Sequence, residues 1–353
     1  MIPREYRGVA IAVVLFLIVQ LGALALVPEF VESGYQPVED PQDPTNSLVY
    51  IVAILIATGL MLAAFRFEFD QLVRYVIVGT AGLLAWYVFA ALMDPTLAVV
   101  PSAGVSVALL VYPEWYVIDA AGVLMGAGAA GLFGISFGIL PALLLLSFLA
   151  IYDAISVYRT EHMLSLAEGV MDLRMPVVLV IPLSLSYSFL SDADSADASE
   201  ETAETAVEET AGDVLQEATG TDVNEDAGRP NDAHKDETGT DTDESPAAPD
   251  EDDRDAFFIG LGDAVIPAVL VASAATFSPA PDLGVPVVGL NLPALFAMGG
   301  IFVGLFVLLG WVMRGRAHAG LPLLNGGAIG GYVLGSLIAG VPLLEALGIA
   351  GFL

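Results

Sequence analysis

The sequence predicts an all-α fold, a polytopic membrane protein of nine transmembrane helices with one acidic loop. Three observations predict it. Hydrophobic residues make up 56 % of the 353-residue chain and charged ones only 15 %. The formal net charge is nevertheless −31. The charge is also concentrated. Residues 191–255 hold 24 acids against Arg229, Lys235 and Arg254, a net −21, while the other 288 residues carry a net −10 and read as long apolar runs. An ordinary water-soluble domain is excluded by that division. So is a nucleic-acid binder working by phosphate neutralisation, because no basic patch exists.

A spanning helix needs roughly 20 apolar residues. The runs that qualify are 9–27, 47–65, 72–93, 97–112, 118–136, 137–158, 256–277, 290–313 and 321–343. The first is read as a retained helix, since it is long for a signal peptide and lacks a convincing small-residue cleavage site. The fourth is short. The fifth and sixth nearly abut, with Gly134 and Ser136 as the expected turn. Glycine is dense in the fifth and ninth, and small residues allow close helix packing in lipid. Both are therefore expected inside the bundle. The stretch 175–190 is apolar but short and holds Pro176 and Pro182, which suits a surface or partly inserted segment better than a tenth span.

The 11 basic residues test the count. Arg4 and Arg7 precede the first span, and Arg66 and Arg74 separate the second and third. Arg159, Arg174, Arg229, Lys235 and Arg254 fall between the sixth and seventh, and Arg314 and Arg316 between the eighth and ninth. All lie on one side of a nine-span arrangement. The positive-inside rule then puts the N-terminus and the acidic loop in the cytoplasm and the C-terminus outside. The expected regions are an N-terminal five-helix membrane region (1–136), the sixth helix with the surface segment (137–190), a disordered acidic loop (191–255), and helices seven to nine (256–353).

Cysteine is absent, which excludes disulfides and thiolate chemistry. One lysine stands against ten arginines. That bias, with the carboxylate-rich loop, suggests the cell membrane of an extreme, archaeal-type halophile. The plainer reading is an acidic linker of no special habitat.

Most carboxylates lie in loops or at span ends. Asp153, in LLLLSFLAIYDAISVY, and Asp263, in FFIGLGDAVIPAVLVA, do not. At 1.5 Å per residue they sit roughly 7 and 10 Å inside the cytoplasmic ends of consecutive antiparallel helices. An ionisable residue at such depth points to function. Two facing carboxyls in a poorly solvated site share one proton. That arrangement suits aspartic proteolysis, in which one member takes a proton from water and the other polarises the peptide carbonyl. It suits equally a proton or cation relay in a transporter, or a polar contact that only orients helices. Asp119 and Glu345 also border apolar runs, with Glu345 the stronger candidate for a third membrane carboxyl.

Tyr152-Asp153 and Gly260-Leu261-Gly262-Asp263 resemble the YD and GxGD motifs of presenilins and signal peptide peptidases. RTEHMLSLAEGVMDLRMPVVLV after Asp153 is similar to the helical region and Pro-containing segment that follow the first catalytic Asp in presenilin. The nine-span, N-inside topology is also presenilin-like, and prokaryotic homologues match best in size. The third family motif, PAL, has a literal copy at Pro293-Ala294-Leu295, but only 30 residues after Asp263. The family spacing of roughly fifty selects Ala319-Gly320-Leu321-Pro322 instead, with the first Pro replaced.

The resemblance implies an intramembrane aspartyl protease with Asp153 and Asp263 catalytic. Tyr152, Gly260, Leu261, Gly262, Gly320, Leu321 and Pro322 would shape the site and bind substrate. Read alone, Gly320 and Pro322 are helix-start residues, and Gly260 and Gly262 allow either close approach or loose packing. It implies transmembrane-helix substrates in a lipid bilayer, no nucleic acid, no cofactor and no obligatory partner subunit, with the oligomeric state open. His162, His234 and His318 lack metal-ligand spacing, so no metal is expected.

Overall fold

The computed structural model describes residues 4–67, 69–159, 178–183, 187–188, 256–286, 288–313 and 319–350. The chain divides into two compact units, Met1–Tyr187 with Asp255–Leu353, and Ser188–Arg254. The expected acidic loop, the three histidines and the helical stretch after Arg159 lie outside the described residues.

The helices are α1 (Arg4–Glu32), α2 (Thr45–Arg66), α3 (Asp70–Leu92), α4 (Val99–Val111), α5 (Trp115–Ser136) and α6 (Ile139–Arg159). After a strand pair come α7 (Leu261–Phe277), α8 (Leu292–Val312), α9 (Leu321–Ile338) and the single turn α10 (Leu343–Ala346). Among the described residues, seven helices are long and apolar enough to cross a membrane: α1, α2, α3, α5, α6, α8 and α9. The predicted fourth and seventh spans, α4 and α7, are shorter apolar helices of 13 and 17 residues.

The all-α expectation needs one correction. Strand β1 (Val178–Pro182) pairs antiparallel with β2 (Ala256–Gly260), in register from Val178↔Gly260 to Pro182↔Ala256. The seventh helix was expected from residue 256 but begins at Leu261. Phe257, Phe258 and Ile259 are bulky aromatic and β-branched residues that favour a pleated surface, and VLVIP supplies the partner. A second correction concerns the turn between the fifth and sixth spans. Gly134 and Ser136 lie within α5, and the break falls at Phe137-Gly138.

The small residues explain the packing. On α5, a Cβ at Gly128 would stand 2.7 Å from the Val88 side chain of α3, and one at Gly131 3.0 Å from Phe30 of α1. Gly134 abuts Ala272 of α7. α5 is thus the inner helix, and its contacts join a core of Leu26, Val27, Phe30, Val88, Ala127, Ile135 and Ala272. α8 and α9 pack backbone to backbone, with Gly327 against the Gly300 carbonyl and Gly331 against that of Phe296. Small residues four apart permit this approach. α9 is buried on one face only, since Leu334, Leu337 and Ile338 are exposed. Asn291 joins α7 to α8: its Oδ1 caps Ala294 N–H, and its Nδ2 donates to the Ala274 carbonyl at 2.7 Å. α2 is peripheral, exposing Leu48, Val49, Val52, Ile56 and Leu60.

Candidate active site

Asp153 sits on the inward stripe of α6. Leu146, Leu149, Asp153 and Ser156 recur at helical spacing and are all buried, while Phe148, Ile151, Tyr152 and Ile155 face outward. The apolar stripe that packs the helix therefore also drives the Asp153 carboxyl into the bundle, where it is 6 % exposed. Tyr152 falls on the other face, its ring stacked on Phe148 at 6.4 Å. The structure does not bring Tyr152 to the carboxyls.

Asp263 lies in the first turn of α7, not two turns inside a helix as the sequence suggested, because β2 takes 256–260, the first five residues of the expected span. Gly260 is the N-cap residue. Leu261 is buried near Gly126 of α5, whereas Gly262 faces outward, with only Ile266 near the position of a Cβ. Leu261 therefore anchors the motif, and nothing in its packing requires glycine at 262.

The start of α9 reaches both carboxyls. The first N–H groups of a helix have no partner inside it. Here Pro322 has none to offer, and those of Leu323 and Leu324 both donate to the Gly320 carbonyl at 3.2 Å. The N–H of Leu321 donates to Asp153 Oδ2 at 3.2 Å. One residue earlier, a Cβ on Gly320 would fall 2.7 Å from Asp263 Oδ2. One dipeptide thus touches both carboxyls. The positive ends of α9 and α7 both face this cluster, which suits the negative charge it holds. One turn further along α9, buried Asn325 donates from Nδ2 to the Leu146 carbonyl of α6 at 2.9 Å.

The literal Pro293-Ala294-Leu295 opens α8, with Pro293 in its first turn. Glu345 is exposed on α10. Besides Asp153, Asp119 of α5 is a buried carboxyl among the described residues of the spans, and it accepts from the Val180 N–H at 2.7 Å. The sequence places it at the edge of its run, the second residue of 118–136, and carries no sign of its main-chain partner.

Two carboxyls brought to one dipeptide among apolar helices fit the class of membrane-embedded aspartyl proteases. The comparisons agree. Residues 13–341 match the family described as signal-peptide peptidase, presenilin aspartyl protease. The chain belongs to that family. It is similar to the structure of a presenilin family intramembrane aspartate protease in a C222 crystal form, with 28 % identity, a TM-score of 0.58, and coverage of 94 % of this chain and 99 % of that one. A P2 crystal form of a presenilin family intramembrane aspartate protease gives 28 % identity, a TM-score of 0.54, and 92 % and 96 % coverage. No curated protein matches the sequence to a significant degree. The protein is an intramembrane aspartic endopeptidase, and nothing in these likenesses supports a transporter.

Proposed function

We propose that Asp153 and Asp263 are the catalytic dyad and that it cuts transmembrane helices of membrane-protein substrates. The observation that carries this reading is the shared contact with Gly320-Leu321. The pair holds one proton between its carboxyls. The ionised member takes a proton from water as its oxygen attacks the peptide carbonyl, and the protonated member gives its proton to the carbonyl oxygen. Collapse of the tetrahedral intermediate breaks the C–N bond, and the amine leaves with a proton returned by the dyad. The two roles belong to the pair rather than to either residue.

A substrate helix must unwind to offer its carbonyl, because a closed helix satisfies its own backbone groups. The Gly320-Leu321-Pro322 start of α9 then meets extended substrate with main-chain groups. Gly260, Leu261 and Gly262 set the approach to Asp263. Nine spans, a cytoplasmic N-terminus and a cytoplasmic acidic segment are supported by the one-sided distribution of basic residues. The same composition supports a halophile's cell membrane. No partner subunit is required by this reading.

The test is incubation of the purified protein with a single-span substrate in detergent. Cleavage should vanish in D153N and in D263N, with both variants folded. Retained cleavage in either one would sink the assignment.

A further inference from the structure

Asp119 is a buried carboxyl that the reaction above does not use. It lies one turn after Trp115 on α5, and both side chains grip the same neighbouring segment. The Trp115 indole N–H donates to the Tyr187 carbonyl at 3.1 Å, and Asp119 Oδ1 accepts from the Val180 N–H at 2.7 Å. Val180 is the middle residue of β1, and Leu179, Val180 and Ile181 are each at most 2 % exposed. On the opposite side, Gly8 of α1 packs against Ile181, Leu183 and Phe257. The hairpin is therefore lodged between α1 and α5, at the end of the bundle that holds the dyad.

Alternate residues of an antiparallel strand direct their N–H groups away from the partner strand. Val180 and Pro182 share that parity. Pro182 has no N–H, and that of Val180 would be buried and unpaired without Asp119. A main-chain donor so placed needs a partner, and an acceptor side chain from the adjoining helix is the local solution. β1 in turn fixes β2 by its register, and β2 runs through Gly260 into the first turn of α7, where Asp263 stands.

We propose that Asp119 is a positioning residue for the protease. It anchors β1 to α5, and through the hairpin sets where α7 begins and where the Asp263 carboxyl meets Asp153. The proposal rests on the dyad reading. Asp119 takes no part in proton transfer. It acts as an oxygen acceptor, so the amide of asparagine can replace it.

Four variants of the full-length protein test this, with cleavage of a single-span substrate followed by rate and by the mass of each product. D119L removes the acceptor at similar size. V180P removes the donor and leaves Asp119 in place, at a strand position whose N–H is not used in the ladder with β2. Each should lower kcat about tenfold with KM within about twofold, the pattern of a misplaced catalytic group rather than of lost binding. The D119L/V180P double variant should be no worse than either single, because both delete one bond. D119N should stay within about threefold of wild type. Wild-type kcat in folded D119L or folded V180P would overturn the proposal. So would D119N as poor as D119L, or additive losses in the double variant. Failure of both D119L and V180P to fold would assign the bond to stability alone and also overturn it. None of these outcomes touches the dyad, whose own test is D153N and D263N.

Discussion

Leu321 and Asp153 are 168 positions apart, yet the N–H of one donates to the carboxylate of the other at 3.2 Å. The bond exists because Pro322 withholds a donor and Leu323 and Leu324 turn theirs back onto Gly320. A single amide is left at the head of α9, and Asp153 takes it. The sequence around Asp153 thus explains its burial, and the sequence around Leu321 explains its partner.

Gly320 should not tolerate a side chain. A Cβ there falls 2.7 Å from Asp263 Oδ2, whereas at Gly262 the nearest neighbour is Ile266 at 3.7 Å. G320A should lose more than about tenfold in kcat, since a displacement near 1 Å at a catalytic group costs on that order or more. G262A should remain close to wild type. Rates on a common substrate decide between them.

Asn325 fastens α9 to α6 one turn from the dyad contact. N325L keeps the size and loses the donor. It should destabilise the protein by about 1 kcal/mol and lower kcat, because α6 carries Asp153. N325D should be worse, placing an unpaired charge in an apolar interface. Thermal midpoints in detergent, measured alongside cleavage, test both.

The α8–α9 seam should be intolerant at Gly327 and tolerant beside it. Gly327 lies against the Gly300 backbone, while a Cβ on Gly326 meets nothing within 4 Å. G327A should cost about 1–3 kcal/mol by forcing the backbones apart. G326A should leave the midpoint unchanged, and equal losses in the two would refute close backbone contact.

Outside the spans, the Thr96 hydroxyl, aided by the Thr96 N–H, holds the Asp94 carboxyl below its usual range. A depressed folded value stabilises above the unfolded value, near pH 4, and the benefit is lost as pH falls through the folded one. Wild type should therefore exceed T96V in thermal midpoint near neutrality, with the difference closing below about pH 4. A difference that grew in acid would contradict this.

The helices and the two intramembrane carboxylates were legible because membrane residence makes both conspicuous: run length marks a span, and a carboxylate inside one stands out. Spacing singled out Gly320 and Leu321, and both lie against the carboxyls. The hairpin was not legible. VLVIP and AFFIG are short apolar runs that periodicity cannot tell from helix, and their partners lie on opposite sides of residues 183–255. The role of Tyr152 was carried by its motif, but one step along a helix turns a side chain by about 100°, away from its neighbour's face. Asp119 was legible as a carboxyl at a span edge, but its contact was hidden for the same reason as the hairpin, since its partner is a strand amide.

The pairing of Pro182 with Ala256 has a consequence for the acidic segment. It brings the two ends of a 73-residue excursion to about 5 Å, the spacing of neighbouring strands. Closure on that scale makes added length cheap, each doubling costing about 0.6 kcal/mol. The interval is then a port in the architecture: it can be lengthened, shortened, recharged or cut, and the machinery on either side stays clasped by five pairs of residues. Residues 1–188 and 256–353, made as separate chains, should assemble into one working enzyme.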